Sequence, residues 1–203
     1  MTRTIGCGIL LIMLQACGGS TTQGPKNIIG DPEPNTETET VIETPVISEP
    51  ILPKGAVTAN YITKKTPFYA YVKGVDKSLD ITEIAFEDAA IPAIRIPETV
   101  GASLSSLRFN EFESDLLLVT AKIKDPNFNK YYLYQFRNGR WEMVVNRFAI
   151  HRSHVNDTLI PITVDPANPG YMLRYYSVFD LDAKSDLGYT WRLLRESVPY
   201  LKQ

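Results

Sequence analysis

The only two histidines of this 203-residue chain fall within one heptapeptide, His151-Arg152-Ser153-His154-Val155-Asn156-Asp157, with a carboxylate three residues beyond the second. Two imidazoles and a carboxylate can hold zinc or a similar ion and leave coordination positions open for water, which is what metal-assisted hydrolysis needs. The spacing would align His151, His154 and Asp157 on a helix. Here the segment follows a strand and reads as a loop, where that spacing carries no special meaning. There is no HExxH and no cysteine partner. These three residues are therefore candidates for a metal-dependent hydrolase, set against the plainer reading of polar loop residues. Asp180, Asp182 and Asp186 match positions 1, 3 and 7 of a calcium loop, but Lys184, Ser185 and Trp191 occupy the fifth, sixth and twelfth positions. A polar hairpin turn accounts for them better.

A second set of residues suggests binding rather than catalysis. Arg137, Arg140, Arg147 and Arg152 are interleaved with Tyr132, Phe136, Trp141 and Phe148. Such a pattern can stack flat ligands on rings while cations follow anionic groups. Arg137, Arg140, Trp141 and Arg147 are the binding candidates, and the competing reading is core aromatics alternating with solvated arginines. No G-x-S-x-G, S-x-x-K or glycine-rich phosphate loop is found, so nucleophilic catalysis has no support in the motifs. No cofactor is expected.

The compartment is read from the opening residues. Arg3 precedes an unbroken apolar run from Ile5 to Leu14, which ends at Gln15-Ala16-Cys17 before Gly18-Gly19-Ser20. The run is short of the roughly 20 apolar residues that span a bilayer, and its charged start and small-residue exit are those of a cleaved export signal. Leu14-Gln15-Ala16-Cys17 resembles the lipobox of bacterial lipoproteins, with Gln15 where a smaller residue is more usual. The resemblance covers the first 20 or so residues only. It implies cleavage before Cys17, a diacylglyceryl group on its thiol, and anchoring by two or three acyl chains, each CH₂ contributing about 0.8 kcal/mol. In that family Gly18 rather than Asp after the cysteine implies the outer membrane, and a periplasm-facing domain is expected. Cleavage would remove Cys7 and lipidation would consume Cys17, leaving no thiol for a disulfide, a Cys-rich zinc site or a CxxC redox centre.

Between anchor and domain lies GGSTTQGPKNIIGDPEPNTETETVIETPVISEPILPK, residues 18–54, rich in Pro, Thr, Glu and Gly and without aromatics. Its apolar residues are too few to offset the entropy of ordering it. As a tether it would reach from about 35 Å as a coil to roughly 115 Å when stretched. The expected organisation is a signal peptide over 1–16, a lipidated terminus and disordered linker over 17–55, and one domain over 56–203. A domain of that size buries about 68–70% of its unfolded surface, enough for a core without staples. Charge is near balance at −2 overall, with the excess acid in the linker, so no global field argues for nucleic acid as a partner.

The domain reads as all-β. Strands are expected over Thr66–Lys73, Leu79–Phe86, Ile91–Pro97 (an edge, being bracketed by prolines), Asp115–Lys124, Phe148–Ile150, Thr158–Val164, Tyr171–Phe179 and Tyr189–Val198. Asn138-Gly139 between alternating runs predicts a two-residue hairpin turn, with Phe136 facing Trp141, Tyr134 facing Met143, Tyr132 facing Val145 and Leu133 facing Val144. Short strands with turn chemistry between them predict an antiparallel β-sandwich or barrel-like domain. Trp191, Leu194 and Val198 also suit one helix face, so an α+β domain with a C-terminal helix is the alternative. The expected role is a non-catalytic binding or accessory subunit, partnered by the membrane through its anchor and by another envelope protein or an envelope polymer. The alternatives are the metal-dependent hydrolase and a surface adhesin.

Overall fold

The computed structural model describes residues 52–200. The leader, the lipidation at Cys17 and all but the last residues of the tether lie outside the described residues.

Three antiparallel sheets make up the domain. The first contains β1 (Val57–Ala59), β2 (Phe68–Asp76), β3 (Ile81–Phe86) and β4 (Ile94–Pro97) in sequential order. The second runs β5 (Gly101–Leu107), β6 (Leu116–Lys122), β7 (Phe128–Arg137) and β8 (Arg140–Met143), with β9 (Phe148–His151) pairing the first half of β7. The third is β10 (Ile162–Val164), β11 (Tyr171–Leu181) and β12 (Tyr189–Pro199). No α-helix occurs among the described residues; a single 3₁₀ turn, Arg152–His154, follows β9.

The second sheet is central because its strands carry apolar residues on both faces. Leu117, Val119 and Ala121 of β6 and Tyr132 and Tyr134 of β7 face a core shared with Phe68, Ala70, Ile84, Phe86 and Ile96 of the first sheet. The alternate residues, Leu116 and Leu118 of β6 and Tyr131 and Leu133 of β7, join Phe148, Ile150, Ile162 and Met172 in a second core. Period-two alternation sends successive side chains to opposite faces, and here both destinations are dry. The result is a β-sandwich-like domain of antiparallel sheets. Thr120 and Lys122 do leave the buried run of β6, but Leu116 and Leu118 on their face are buried.

The expected strand over residues 189–198 forms, and the alternative of a C-terminal helix is not realised. Tyr189–Pro199 pairs residue for residue with Tyr171–Leu181, and this continuous ladder outweighs the three residues that happen to share helical spacing. The hairpin forms as its turn dictates: Asn138 and Gly139 sit at φ 50° and 77°, and Phe136 opposes Trp141 while Tyr134 opposes Met143. Leu133 still accepts a hydrogen bond from Val144 N–H at 2.8 Å. The expected pairing of Tyr132 with Val145 does not occur, since Val145 is drawn into the second core while Tyr132 faces the first. The chain then re-pairs as β9, with Tyr131 opposite Phe148. A bulge at Lys73 shifts the register of β2 against β3 between Val72 and Gly74, the kind of extra residue that bends a strand and increases its twist.

The turn between β10 and β11 is organised by Asp165, a buried carboxylate. It accepts hydrogen bonds from Asn168 Nδ2 (2.7 Å), Ser197 Oγ and Ala167 N–H (3.0 Å). These bonds, the Asn168 and Ser197 side chains foremost, hold its pKa below the usual carboxylate range.

Two predictions follow from this packing. Leu133→Ala, at a site with no exposure, should cost about 2–5 kcal/mol in urea unfolding, while Lys122→Ala on the exposed end of β6 should change stability by less than about 0.5 kcal/mol. Because the folded pKa of Asp165 is depressed, its contribution is present above the unfolded value of about 3.9 and fades as pH falls through the folded value. Asp165→Asn should therefore flatten the acid limb of the stability–pH curve below about pH 4.

Candidate functional site

An open groove of about 440 Å³ lies beside the β7–β8 turn. Its polar lining comes from Glu111 and Glu113 of the β5–β6 loop and from Gln135, Arg137 and Asn138 at the end of β7; Phe112 and Tyr200 supply aromatic surface. A smaller hollow sharing Phe112, Gln135, Arg137 and Tyr200 extends it toward Glu142 and Val144. Phe112 is buried, and its ring lies 5.0 Å from that of Tyr200. Partial burial and the neighbouring Glu111 carboxylate push the Tyr200 pKa up, so the phenol stays protonated and able to donate. Glu111, Glu113 and Arg137 are all exposed, and among the described residues the Arg137 side chain has no hydrogen-bond or ion-pair partner.

The arginines and aromatics that interleave in sequence do not share one surface. Trp141 belongs to the first core, stacked on Phe86 at 4.7 Å and 15° and edge-on to Tyr61 and Phe136. Its indole Nε1 is buried and has no hydrogen-bond partner among the described residues. Tyr132 and Phe136 pack with the same core and Phe148 with the other. Arg140, at the hairpin turn, pairs with Glu142 at 2.7 Å. Arg147 sits near enough to Tyr132 and Tyr134 to oppose the rise that burial gives their pKa values. Only Arg137 of the four binding candidates lines the groove. The groove was missed in sequence because its walls come from a loop, a hairpin end and the residue after β12, which no linear motif joins.

His151 caps the 3₁₀ turn and His154 is its last residue. His151 Nδ1 lies 2.8 Å from Ser153 Oγ and accepts from Ser153 N–H at 3.3 Å, the role of a helix N-cap. His154 Nδ1 lies 3.0 Å from Ser177 Oγ on β11, and the same hydroxyl accepts from His151 N–H at 2.9 Å. The two rings are 6.4 Å apart, and Asp157 is exposed. No group of three or more His, Cys, Asp or Glu side chains that could hold a metal occurs among the described residues. At the far end of the ribbon Asp180 of β11 pairs with Arg192 of β12 at 2.7 Å, and in the turn Asp182 accepts from Lys184 N–H, so both carboxylates shape the hairpin.

His151 also begins an aromatic row. It stacks on Trp191 at 4.8 Å and 11°; Trp191 meets Phe128 at 4.9 Å and Phe179 at 5.0 Å, and Phe179 stacks on Tyr189 at 5.2 Å. The row runs from the central sheet out along the β11–β12 ribbon, where Phe179 is 57% and Leu187 83% exposed. Ser177 and Trp191 thus fasten the ribbon to β9. Ser177→Ala, which leaves the buried-side His151 N–H without its acceptor, should lower stability by about 1–3 kcal/mol in urea unfolding, with β11 amides near residue 177 losing hydrogen-exchange protection before those of β6.

No protein-family model, no curated protein and no solved structure matches this chain, so what it does must be inferred from these residues themselves.

Proposed function

We propose that this protein is a lipoprotein of a bacterial cell envelope, held at the outer membrane by acyl chains on Cys17, whose β domain binds a sugar-rich envelope polymer without transforming it. The anchor rests on the lipobox-like Leu14-Gln15-Ala16-Cys17, and the 18–54 segment would let a periplasm-facing domain reach away from its membrane.

The observation that carries the binding reading is the groove at Arg137. Its volume falls within the range of small-ligand sites. Tyr200, backed by the buried Phe112 ring, offers apolar ring surface to the C–H face of a sugar. Glu111, Glu113, Gln135 and Arg137 offer acceptors and donors to hydroxyl, amide or carboxylate substituents. Both signs of charge line the groove, which favours a neutral or mixed-charge polymer over a polyanion. An open trough, rather than a closed cavity, admits a chain passing through.

Cosedimentation of the full chain with purified cell-wall polysaccharide tests this. Arg137→Ala and Tyr200→Ala should each weaken retention about tenfold, the effect of losing roughly 1.4 kcal/mol, while Lys77→Ala on a distant exposed turn should not. Absence of retention, or retention indifferent to both groove substitutions, would remove the polymer. The anchor is checked separately by mass spectrometry, which should find diacylglyceryl on Cys17 and no residues before it.

A further inference from the structure

Of the sheet edges among the described residues, one is both long and bare. β1 and β10 are three residues each, and β4 is four residues ending in Pro97. β5 lies against β1 and β2. β12 runs eleven residues, pairs on one side only, and has no glycine, lysine or bulge, its sole proline being the terminal Pro199. Natural sheets blunt such edges unless the edge is used.

The direction of the free groups can be read from the ladder. Asp182 N–H bonds Gly188 O at one end and Tyr200 N–H bonds Gly170 O at the other, in the same register. Even-numbered residues of β12 therefore turn their backbone groups to β11. On the far side, Tyr175 N–H bonds Pro161 O and Tyr171 O accepts from Asp165 N–H, so odd residues of β11 face β10. It follows that Trp191, Leu193, Arg195 and Ser197 present their N–H and C=O groups to the open edge.

We infer that this edge is a self-association site at which two copies of the chain pair β12 with β12 antiparallel about a two-fold axis at Leu194. A two-fold perpendicular to the sheet places one residue opposite itself, which leaves few registers to choose among. Centring on Arg195 would set two guanidinium groups face to face. Centring on Leu194 sets Leu194, 37% exposed, against its own copy and Arg192 against the partner's Glu196, twice. Glu196 already accepts from Arg174 Nη2 at 2.9 Å and Arg192 already pairs with Asp180 at 2.7 Å, so each Glu196 would lie between two arginines, each Arg192 between two carboxylates, and charge would alternate across the joint. Leu193 and the partner's Arg195 would exchange backbone hydrogen bonds, as would Trp191 and the partner's Ser197. Cross-strand ion pairs and apolar pairs of this kind favour one register over its neighbours.

The inference does not depend on the groove or its ligand. It is tested in membranes carrying the full chain. Leu194→Cys, at a non-hydrogen-bonded pair where Cα atoms approach to about 4.5 Å, should form a disulfide-linked dimer under mild oxidation. The parent chain and Thr190→Cys should not, since Thr190 would face the partner's Val198. Arg195→Pro removes an edge N–H that no internal ladder bond uses, so it should keep the folded circular dichroism spectrum while cutting the dimer fraction in sedimentation at least tenfold. No link at Leu194, linkage at Thr190 instead, or an Arg195→Pro protein that is folded and still dimeric would overturn the proposal. Were Arg195→Pro to fail to fold, the two cysteine variants decide alone.

Discussion

Everything in this domain depends on the β6–β7 pair being buried on both faces. A strand with one wet face tolerates local adjustment, because half its side chains can move into water. Leu117 and Val119 are committed to one core while Leu116 and Leu118 are committed to the other, and all four are essentially unexposed. Slipping either strand by one position would exchange the two sets and misfit both cores together. The pair is thus the ruler from which the outer sheets take their positions. The chain after Met143 illustrates its authority: Val144 and Val145 abandon simple hairpin pairing to fill the second core before β9 resumes the ladder on β7.

That central pair also accounts for where functional surface can exist. Both of its faces are consumed by packing, so functional surface on these two strands is left to their ends. The Arg137 groove lies at the end of β7, where the alternation of buried residues stops and the Asn138-Gly139 turn forces the chain back. Trp141, which a reading of composition would place in a binding surface, sits next to that turn but is turned inward against Phe86. The histidines are joined to β11 through Ser177. Residue types that look chemical in a string can be structural in space.

How much was legible follows from the range of the forces involved. The turn at Asn138-Gly139 and the pairs Phe136–Trp141 and Tyr134–Met143 are local, and the sequence alone places them. The edge position of β4 follows from its prolines, and the run Leu116–Lys122 declares itself by apolar density. β5, Gly101-Ala-Ser-Leu-Ser-Ser-Leu107, is invisible beforehand because small and polar residues dominate it; it is a strand because β6 supplies the partner. β1 is too short to show a period. The helical alternative for residues 191–198 arose because Trp191, Leu194 and Val198 fit a helical period, and only the pairing with β11 resolves them. The groove needed the fold itself, since Glu111, Arg137 and Tyr200 meet only after the sheets assemble.

The β11–β12 ribbon is a cantilever. Its base is built into the second core by Met172 and held by Arg174, which grips Glu196 and the Asn146 carbonyl; its mid-span rests on Ser177 and Trp191. Beyond these props the ladder continues without support to Leu181 and Tyr189. A sideways load at the free end would be carried along the ladder to those props, as a boom transmits the pull of its cable to the mast, and would bear first on the serine hydroxyl and the indole ring nearest the tip.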